Sequence, residues 1–368
     1  MAQCQVHRSS VTSVGTVHSV TPPSWTIVPP QHKPHRGHCL ALEHLRQIGH
    51  IAAMTTLHDI QAASDRLESV VHRTPVLTSR LLNEWVGAEL FLKCENFQKI
   101  GAFKYRGASN AIAQLDEEAL KRGVCTHSSG NHAQALALAA RERGVPAFIV
   151  MPTTAPTVKR NAVLGYGATV IDCEPTLIAR ETTAERVVKE QGATFIHPYD
   201  HPHIIAGQGT AALELLQETG PLDAIIAPIG GGGLMSGTAI AARGLYPKIR
   251  IFGAEPAGAD DASRSFKAGH FIPQTGPNTV CDGLLTSLGS LTWPIIQREL
   301  EDILVVDDPE TLDAMRMVWT RLKIIIEPSC ATPVAGIKRY LNDYKLKGAK
   351  VGVILSGGNV DLDALPWL

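Results

Sequence analysis

Between residues 90 and 355 short apolar runs alternate with helical stretches, and this alternation constrains the fold more than any other feature of the chain. Strand-like runs fall at 90–92, 147–151, 168–171, 194–196, 224–227, 249–252, 303–306 and 351–355. Helical periodicity fills the gaps, notably at 131–143, 204–218, 234–243 and 311–322, and earlier at 59–71 and 81–85. Such an order calls for an α/β fold of open, twisted, mostly parallel sheets with helices on both faces. Ligands then bind at the carboxyl ends of the strands, where a following helix begins. The 368 residues suit two domains at about 150 residues each.

Composition removes several classes of function. Apolar residues make up 44% of the chain, enough for a sizeable core, and 34 Lys and Arg are balanced by 35 Asp and Glu. Without a basic field, nucleic acid is not an expected partner. No apolar run reaches the ~18 residues needed to cross a bilayer, so a soluble, cytoplasmic protein with no membrane partner is expected. Seven widely spaced cysteines without a Cys-x-x-Cys pair read as reduced, intracellular thiols rather than a zinc site or disulfide framework. Residues 1–53 stand apart, with Pro22, Pro23, Pro29, Pro30 and Pro34, five histidines before position 40 and no acid before Glu43. They read as a disordered leader. The lack of acids admits mitochondrial targeting, although sparse arginine and the prolines oppose an amphipathic helix.

Five stretches carry candidate chemistry. In Lys93 through Gly107 one lysine, Lys104, lies between two glycines and before a helical run. It is either a surface lysine at a helix start or a desolvated amine able to attack an aldehyde. Ser128-Ser129-Gly130-Asn131-His132 follows a strand and offers hydroxyls, an amide and a helix N-terminus to a carboxylate; the alternative is a simple N-cap. Gly230-Gly231-Gly232-Gly233 lets backbone N–H groups converge on a phosphate. Glu255 lies near the distance of a ribose-binding acid, but the glycine spacing does not fit G-x-G-x-x-G. Glu255 and Asp261, six apart on an expected loop with backbone carbonyls between them, suit a hard cation such as Mg²⁺ or Ca²⁺, or are a solvated acidic turn. Ser356, in Ser356-Gly357-Gly358-Asn359 after the last strand, could face a ring nitrogen or cap a turn. A phosphate cradle, a lysine nucleophile, a carboxylate receptor and a ring-nitrogen partner together describe pyridoxal 5′-phosphate (PLP) with an amino-acid substrate. The competing readings are a nicotinamide-dependent dehydrogenase and a non-catalytic PLP-binding protein.

From about residue 54 to the end the chain resembles the tryptophan-synthase-β-like, fold-type II PLP enzymes, and most closely their serine racemase and serine/threonine dehydratase branch. The motifs are Ala102-Phe103-Lys104-Tyr105-Arg106-Gly107, the Ser128 to His132 stretch, the four glycines and Ser356-Gly357-Gly358-Asn359. The resemblance implies that Lys104 is the Schiff-base lysine and that Phe103, Asn131, Gly230, Gly231, Gly232, Gly233, Leu234 and Ser356 contact PLP. It implies Ser128, Ser129, Gly130, Asn131 and His132 on the substrate, with Ser129 as a second acid/base on the face opposite Lys104. Glu255, Ala259 and Asp261 match the family's divalent-cation site, for Mg²⁺, Ca²⁺ or Mn²⁺, with Asp223 near it. The implied activity is dehydration and deamination of β-hydroxy amino acids such as L-serine and L-threonine, with serine racemase activity, in a homodimer. A serine at the ring nitrogen does not enforce a pyridinium, which favours elimination or prompt reprotonation over transamination. A small mobile domain at 123–200 is expected within a larger one formed by 54–122 and 201–368, closing over substrate. Nucleotide regulation is poorly matched: Lys99, Gln134, Lys323 and Asn359 fit, but Asp172 stands in place of a tyrosine and Arg80 in place of a small serine, so ATP is not counted on. Arg186, His197, Tyr199 and Thr286 fall near the substrate side. A second carboxylate held by Arg186 would make 3-hydroxyaspartate a better substrate than serine.

Overall fold

The computed structural model describes residues 55–155, 157–365 and 367. The leader at 1–53 lies outside the described residues. The first half of the chain forms α1 (Leu57–Leu67), β1 (Val76–Leu77), α2 (Arg80–Val86), β2 (Glu89–Cys94), α3 (Lys104–Ile112), α4 (Glu117–Arg122), β3 (Val124–His127), α5 (Asn131–Arg143), β4 (Ala147–Pro152), α6 (Thr157–Gly165), β5 (Thr169–Cys173), α7 (Leu177–Gln191) and β6 (Thr194–Phe195). The second half forms α8 (Pro202–Thr219), β7 (Ala224–Pro228), α9 (Gly233–Leu245), β8 (Arg250–Pro256), α10 (Asp261–Ala268), α11 (Thr292–Glu299), β9 (Asp302–Val306), α12 (Asp308–Leu322), α13 (Pro328–Arg339) and β10 (Lys350–Leu355).

Two sheets result. The larger has the order β1-β2-β10-β7-β8-β9 and the smaller β5-β4-β3-β6. Every pairing is parallel except β1 with β2. Burial on both faces explains why the central strands read as unbroken apolar runs: all of β7 is buried, and Ile225 and Ala227 point into one core while Ala224 and Ile226 point into the other. Edge strand β5 is buried only at Cys173.

Some boundaries differ from the sequence pattern. The first helix stops at Leu67 instead of Val71, because Val70 and Val71 turn back and donate to the Leu67 carbonyl, packing against the core beneath the smaller sheet. Strand β8 runs on to Pro256 because Glu255 and Pro256 pair with Val305 and Val306 of β9. Glu255 therefore sits in a strand, and Asp261 opens a helix, where one loop is expected to carry both. Five described cysteines, at 94, 125, 173, 281 and 330, are buried free thiols. Among the described residues no helix is long and apolar enough to cross a membrane.

Candidate active site

The carboxyl ends of β2, β10 and β7 lie side by side, and the loops that leave them are stitched together. After β2 the chain makes a tight turn in which Ile100 takes φ 57° and Gly101 φ 72°. A β-branched residue in the left-handed region is strained, and hydrogen bonds from the loop after β10 hold it. Asn359 Nδ2 donates to the Ile100 carbonyl at 2.8 Å, Gly358 N to the Gly101 carbonyl at 2.9 Å, and Phe103 N to the Ser356 carbonyl at 3.0 Å. The turn delivers Lys104 as the first residue of α3. Its Nζ donates to the Pro198 carbonyl at 2.8 Å, and desolvation lowers its pKa to about 8. An amine so placed is neutral, and hence nucleophilic, in about a tenth of its population at pH 7 and about half at pH 8.

Beneath Lys104 lies a buried ionic cluster. Arg106 is fully enclosed and makes two bidentate contacts, to Glu95 at 2.7 and 2.9 Å and to Glu214 at 2.7 and 2.9 Å. Lys93 Nζ completes Glu214 at 2.7 Å and donates to the Thr74 carbonyl at 2.6 Å. Because the two cations meet two carboxylates, the Thr74 hydroxyl donates to Glu95 and the Thr210 hydroxyl accepts from Arg106, the cluster is internally satisfied.

Above Lys104 opens a cavity of about 400 Å³. Phe103, Lys104, the whole stretch from Ser128 to His132, the four glycines, Leu234 and Ser356 all line it. The glycine loop joins β7 to α9, and Gly232, at φ 86°, occupies the helix N-cap. Close approach also requires the glycines: a Cβ at Gly231 would fall 2.2 Å from the Tyr199 ring, and one at Gly232 2.8 Å from Thr292. The result is a backbone surface at a helix N-terminus, suited to a phosphate. Asn131 opens α5, and its Nδ2 donates to both oxygens of Glu327 at 3.1 and 3.2 Å while its Oδ1 accepts from Asn359. Burial first, then the charge of Asp282, raises Glu327 to about 7. The residues present thus fit PLP, with an aldehyde-reactive amine, a phosphate-sized cradle of backbone and polar side chains for the ring.

Several expected residues lie elsewhere. Arg186 is exposed on α7 and paired with Glu190 at 2.9 Å, outside the cavity lining. On the same helix Arg180 lines the cavity, and its Nε is buried without a hydrogen-bond partner. Six residues correspond to about one and two-thirds turns, so the two arginines face different ways. Arg180 shares the stripe of buried Ala184 and Val187 at i+4 and i+7, a signal the sequence contained. Tyr199 and Thr286 line the cavity. His197 sits behind Tyr199, its Nδ1 accepting from the Tyr199 and Asp200 N–H groups. His132 touches the cavity but is buried, with Nε2 3.3 Å from the Ile196 carbonyl and a pKa driven well below 6.5 by burial.

Glu255, Ala259 and Asp261 are all buried, apart from the cavity lining. Glu255 accepts from Ala262 N at 3.1 Å and Ser263 N at 2.8 Å. Both carboxylate oxygens of Asp261 are buried without a hydrogen-bond partner. Asp223 does not belong with them: it begins its strand region at the opposite end of the sheet, where its carboxylate accepts from Lys350 N. Five residues of β8 separate Arg250, beside Asp223, from Glu255, or ~16 Å at the strand rise. Of the residues weighed for a nucleotide, Lys99 is paired with Glu142, Asp172 with Arg160 and Arg80 with Glu84.

Sequence reasoning missed Glu327, the Pro198 carbonyl, Arg180 and the Lys159–Asp282 ion pair at the cavity wall. Glu327 precedes a proline that opens α13, which reads as an ordinary helix start, and a backbone carbonyl has no sequence signature.

The profile of the family described as pyridoxal-phosphate dependent enzyme matches residues 67–357. A serine racemase from Dictyostelium discoideum is 52% identical over 315 residues, covering 85% of this chain and 97% of that protein. A beta-hydroxyaspartate dehydratase from Paracoccus denitrificans is 50% identical over 312 residues, covering 85% and 98%. The crystal structure of the Dictyostelium serine racemase superposes with a TM-score of 0.81, over 84% of this chain and 99% of that one. With Glu255 of β8 accepting from backbone N–H groups of α10, and with these relatives, the nicotinamide alternative falls away. The chain belongs to the pyridoxal-phosphate dependent enzymes, in the fold-type II branch of serine racemases and serine/threonine dehydratases.

Proposed function

We propose that this protein catalyses PLP-dependent β-elimination of β-hydroxy amino acids, L-serine and L-threonine among them, to a 2-oxo acid and ammonia, and that it also racemises serine. The observation that carries this reading is the convergence of Lys104, Ser129, Asn131, the glycine loop and Ser356 on one cavity. Bound PLP supplies the electron sink for the pair left at Cα when its proton departs. Lys104, with its pKa near 8, takes that proton on one face, and the Pro198 carbonyl holds the amine in place. Ser129 serves the other face, which racemisation needs and elimination from the L-isomer does not. Ser128, Gly130 and the first N–H groups of α5 hold the substrate carboxylate. Ser356, which lines the same cavity, would face the ring nitrogen with a neutral hydroxyl.

A second substrate reading rests on Arg180. An arginine facing the cavity with a buried, unpartnered Nε suits a second carboxylate, and the Paracoccus relative is named for beta-hydroxyaspartate. Arg180 replaces Arg186 in this role. Asp261, with two orphaned buried oxygens, Glu255 and the Ala259 carbonyl would hold a divalent cation, whose charge would offset two desolvated carboxylates. The segment 123–200 would act as the mobile small domain, and Lys159 of α6, paired with Asp282, would help close it. A homodimer completes the reading.

The test is to incubate purified protein, PLP and Mg²⁺ with L-serine, L-threonine and both diastereomers of 3-hydroxyaspartate, and to assay 2-oxo acid and D-amino acid. PLP binding without turnover of any of them would leave the non-catalytic alternative. Lys104→Ala should abolish turnover of every substrate. Ser129→Ala should lose racemisation and retain elimination of the L-isomer in part; normal racemisation would remove its assigned role. Equal or better turnover of L-serine would sink the 3-hydroxyaspartate preference.

A further inference from the structure

Between β6 and α8 the chain passes through His197-Pro198-Tyr199-Asp200, a turn fastened at both ends. His197 Nδ1 accepts from Tyr199 N at 3.3 Å and from Asp200 N at 2.9 Å. An imidazole nitrogen that receives two N–H donors carries no proton, so the ring is neutral and its proton sits on Nε2. Burial, the largest influence on this ring, acts in the same sense by lowering its pKa to about 4. The downstream end of the turn is tied independently: the Asp200 carboxylate accepts from Ser290 N at 2.8 Å, Ser290 Oγ at 2.9 Å and Leu291 N at 2.8 Å.

The group that meets Lys104 belongs to the same peptide unit as the first of these donors. The Pro198 carbonyl and the Tyr199 N–H are the two ends of one planar bond, and in the trans form, which this bond takes, they point in opposite directions. Fastening the Tyr199 N–H to the imidazole therefore turns the Pro198 carbonyl the other way, where it accepts from Lys104 Nζ at 2.8 Å. Pro198 has a fixed φ and no N–H of its own, so rotation of this peptide plane is the main freedom left in the turn. Pro198, Tyr199 and Lys104 line the cavity, and His197 stands behind them.

We propose that His197 is a positioning residue for Lys104: by accepting from two successive N–H groups, its Nδ1 sets the peptide plane whose carbonyl holds the amine toward the cavity. The imidazole touches neither cofactor nor substrate and acts through Pro198. The inference rests on the PLP reading of the cavity and explains how an amine on a flexible four-carbon stem is aimed before any cofactor arrives. An asparagine at 197 could make the same two bonds through Oδ1, as the side chain does in an Asx-turn. A leucine of similar bulk could make neither.

The test compares the cofactor-free full chain as wild type, His197→Leu and His197→Asn. Stopped-flow absorbance follows capture of PLP, in which the Lys104 nitrogen bonds to the aldehyde carbon and the aldehyde oxygen leaves as water. Calorimetric titration with pyridoxine 5′-phosphate, which has the ring and phosphate but no aldehyde, reports the cavity without the lysine. At pH 9, where an amine with a pKa of about 8 is mostly neutral, His197→Leu should capture PLP about tenfold more slowly or worse, because a misaimed reacting group is slow even when deprotonated. His197→Asn should stay within about threefold of wild type. Affinity for pyridoxine 5′-phosphate should stay within about twofold in both variants, since the Asp200 tether is independent of position 197. Capture by His197→Leu at the wild-type rate, failure of His197→Asn to restore the rate, or an equal loss of capture rate and pyridoxine 5′-phosphate affinity would overturn the proposal. Should His197→Leu not fold, His197→Ala takes its place with the same expectations; if neither folds while His197→Asn does, the imidazole supports the fold rather than the amine and the proposal is overturned. Failure of the wild type to bind PLP at all would instead refute the cofactor reading itself.

Discussion

Helix α3 separates two polar regions that have little in common beyond their closeness in sequence. On its buried side Arg106, Glu95, Glu214 and Lys93 saturate one another, and the strongest pulls on Arg106 are burial, which opposes its charge, and Glu95, which more than restores it. On the cavity side the polar groups are left open: desolvation lowers the pKa of Lys104 and raises that of Glu327, and Arg180 carries a buried Nε with no partner. A polar cluster that closes on itself serves the fold, whereas one with unused hydrogen-bonding capacity is shaped for something that arrives later.

The largest effect expected from this contrast comes from breaking the closed side. Arg106→Met leaves Glu95 facing only Thr74 among the bonds it now has, and Glu214 with Lys93 alone. Removing one member of a buried ionic set strands the others, at ~3–5 kcal/mol. Urea denaturation should show that loss at pH 7. A change under 1 kcal/mol would mean the cluster is not the closed unit described.

Glu327 probes the open side. Its folded pKa of about 7 lies above its ordinary 4.5, so the folded state holds the proton more tightly than the unfolded chain. The stability this confers is fully present below about pH 4.5 and is lost as pH rises through 7, amounting to about 3 kcal/mol. Stability curves of the cofactor-free protein between pH 5 and 8 should fall accordingly, and Glu327→Gln should flatten the fall. An unchanged slope in the variant would show that Glu327 is already compensated.

The contrast also explains what the sequence could and could not reveal. Lys104, Ser128 to His132, the four glycines and Ser356 were legible because each is a local pattern at a strand end, and the fold brings strand ends together. The partners of Arg106 were not, since Glu95 and Glu214 lie 11 and 108 residues away and nothing in a local window pairs them. Arg180 was missed in favour of Arg186 although the Ala184 and Val187 stripe marks its face. Asp223 was misplaced because a strand's two ends look alike in sequence but lie on opposite sides of the sheet.

Asp261 tests whether openness means ligand. With a divalent cation at about 100 times its Kd, binding to the folded state alone adds about 2.7 kcal/mol. Mg²⁺ or Ca²⁺ should therefore raise the Tm of the wild type, read by calorimetry. Asp261→Asn should lose that response while being at least as stable as wild type without the cation, because a desolvated carboxylate with no partner has been removed. A cation response retained in the variant would put the ion elsewhere.

The smallest effect expected is kinetic and belongs to Lys104. Because its amine must be neutral to attack, the rate at which cofactor-free protein captures PLP should follow the neutral fraction. With a pKa of about 8, that fraction rises about fivefold between pH 7 and 8 and less than about twofold between pH 8 and 9. An ordinary lysine at 10.5 would instead gain nearly tenfold at each step. Stopped-flow absorbance across this range separates the two, and a rate still climbing steeply at pH 9 would mean that the Pro198 carbonyl and the surrounding water keep Lys104 charged. In that case burial alone would not open the cavity side to chemistry, and the contrast across α3 would rest on Glu327 and Arg180.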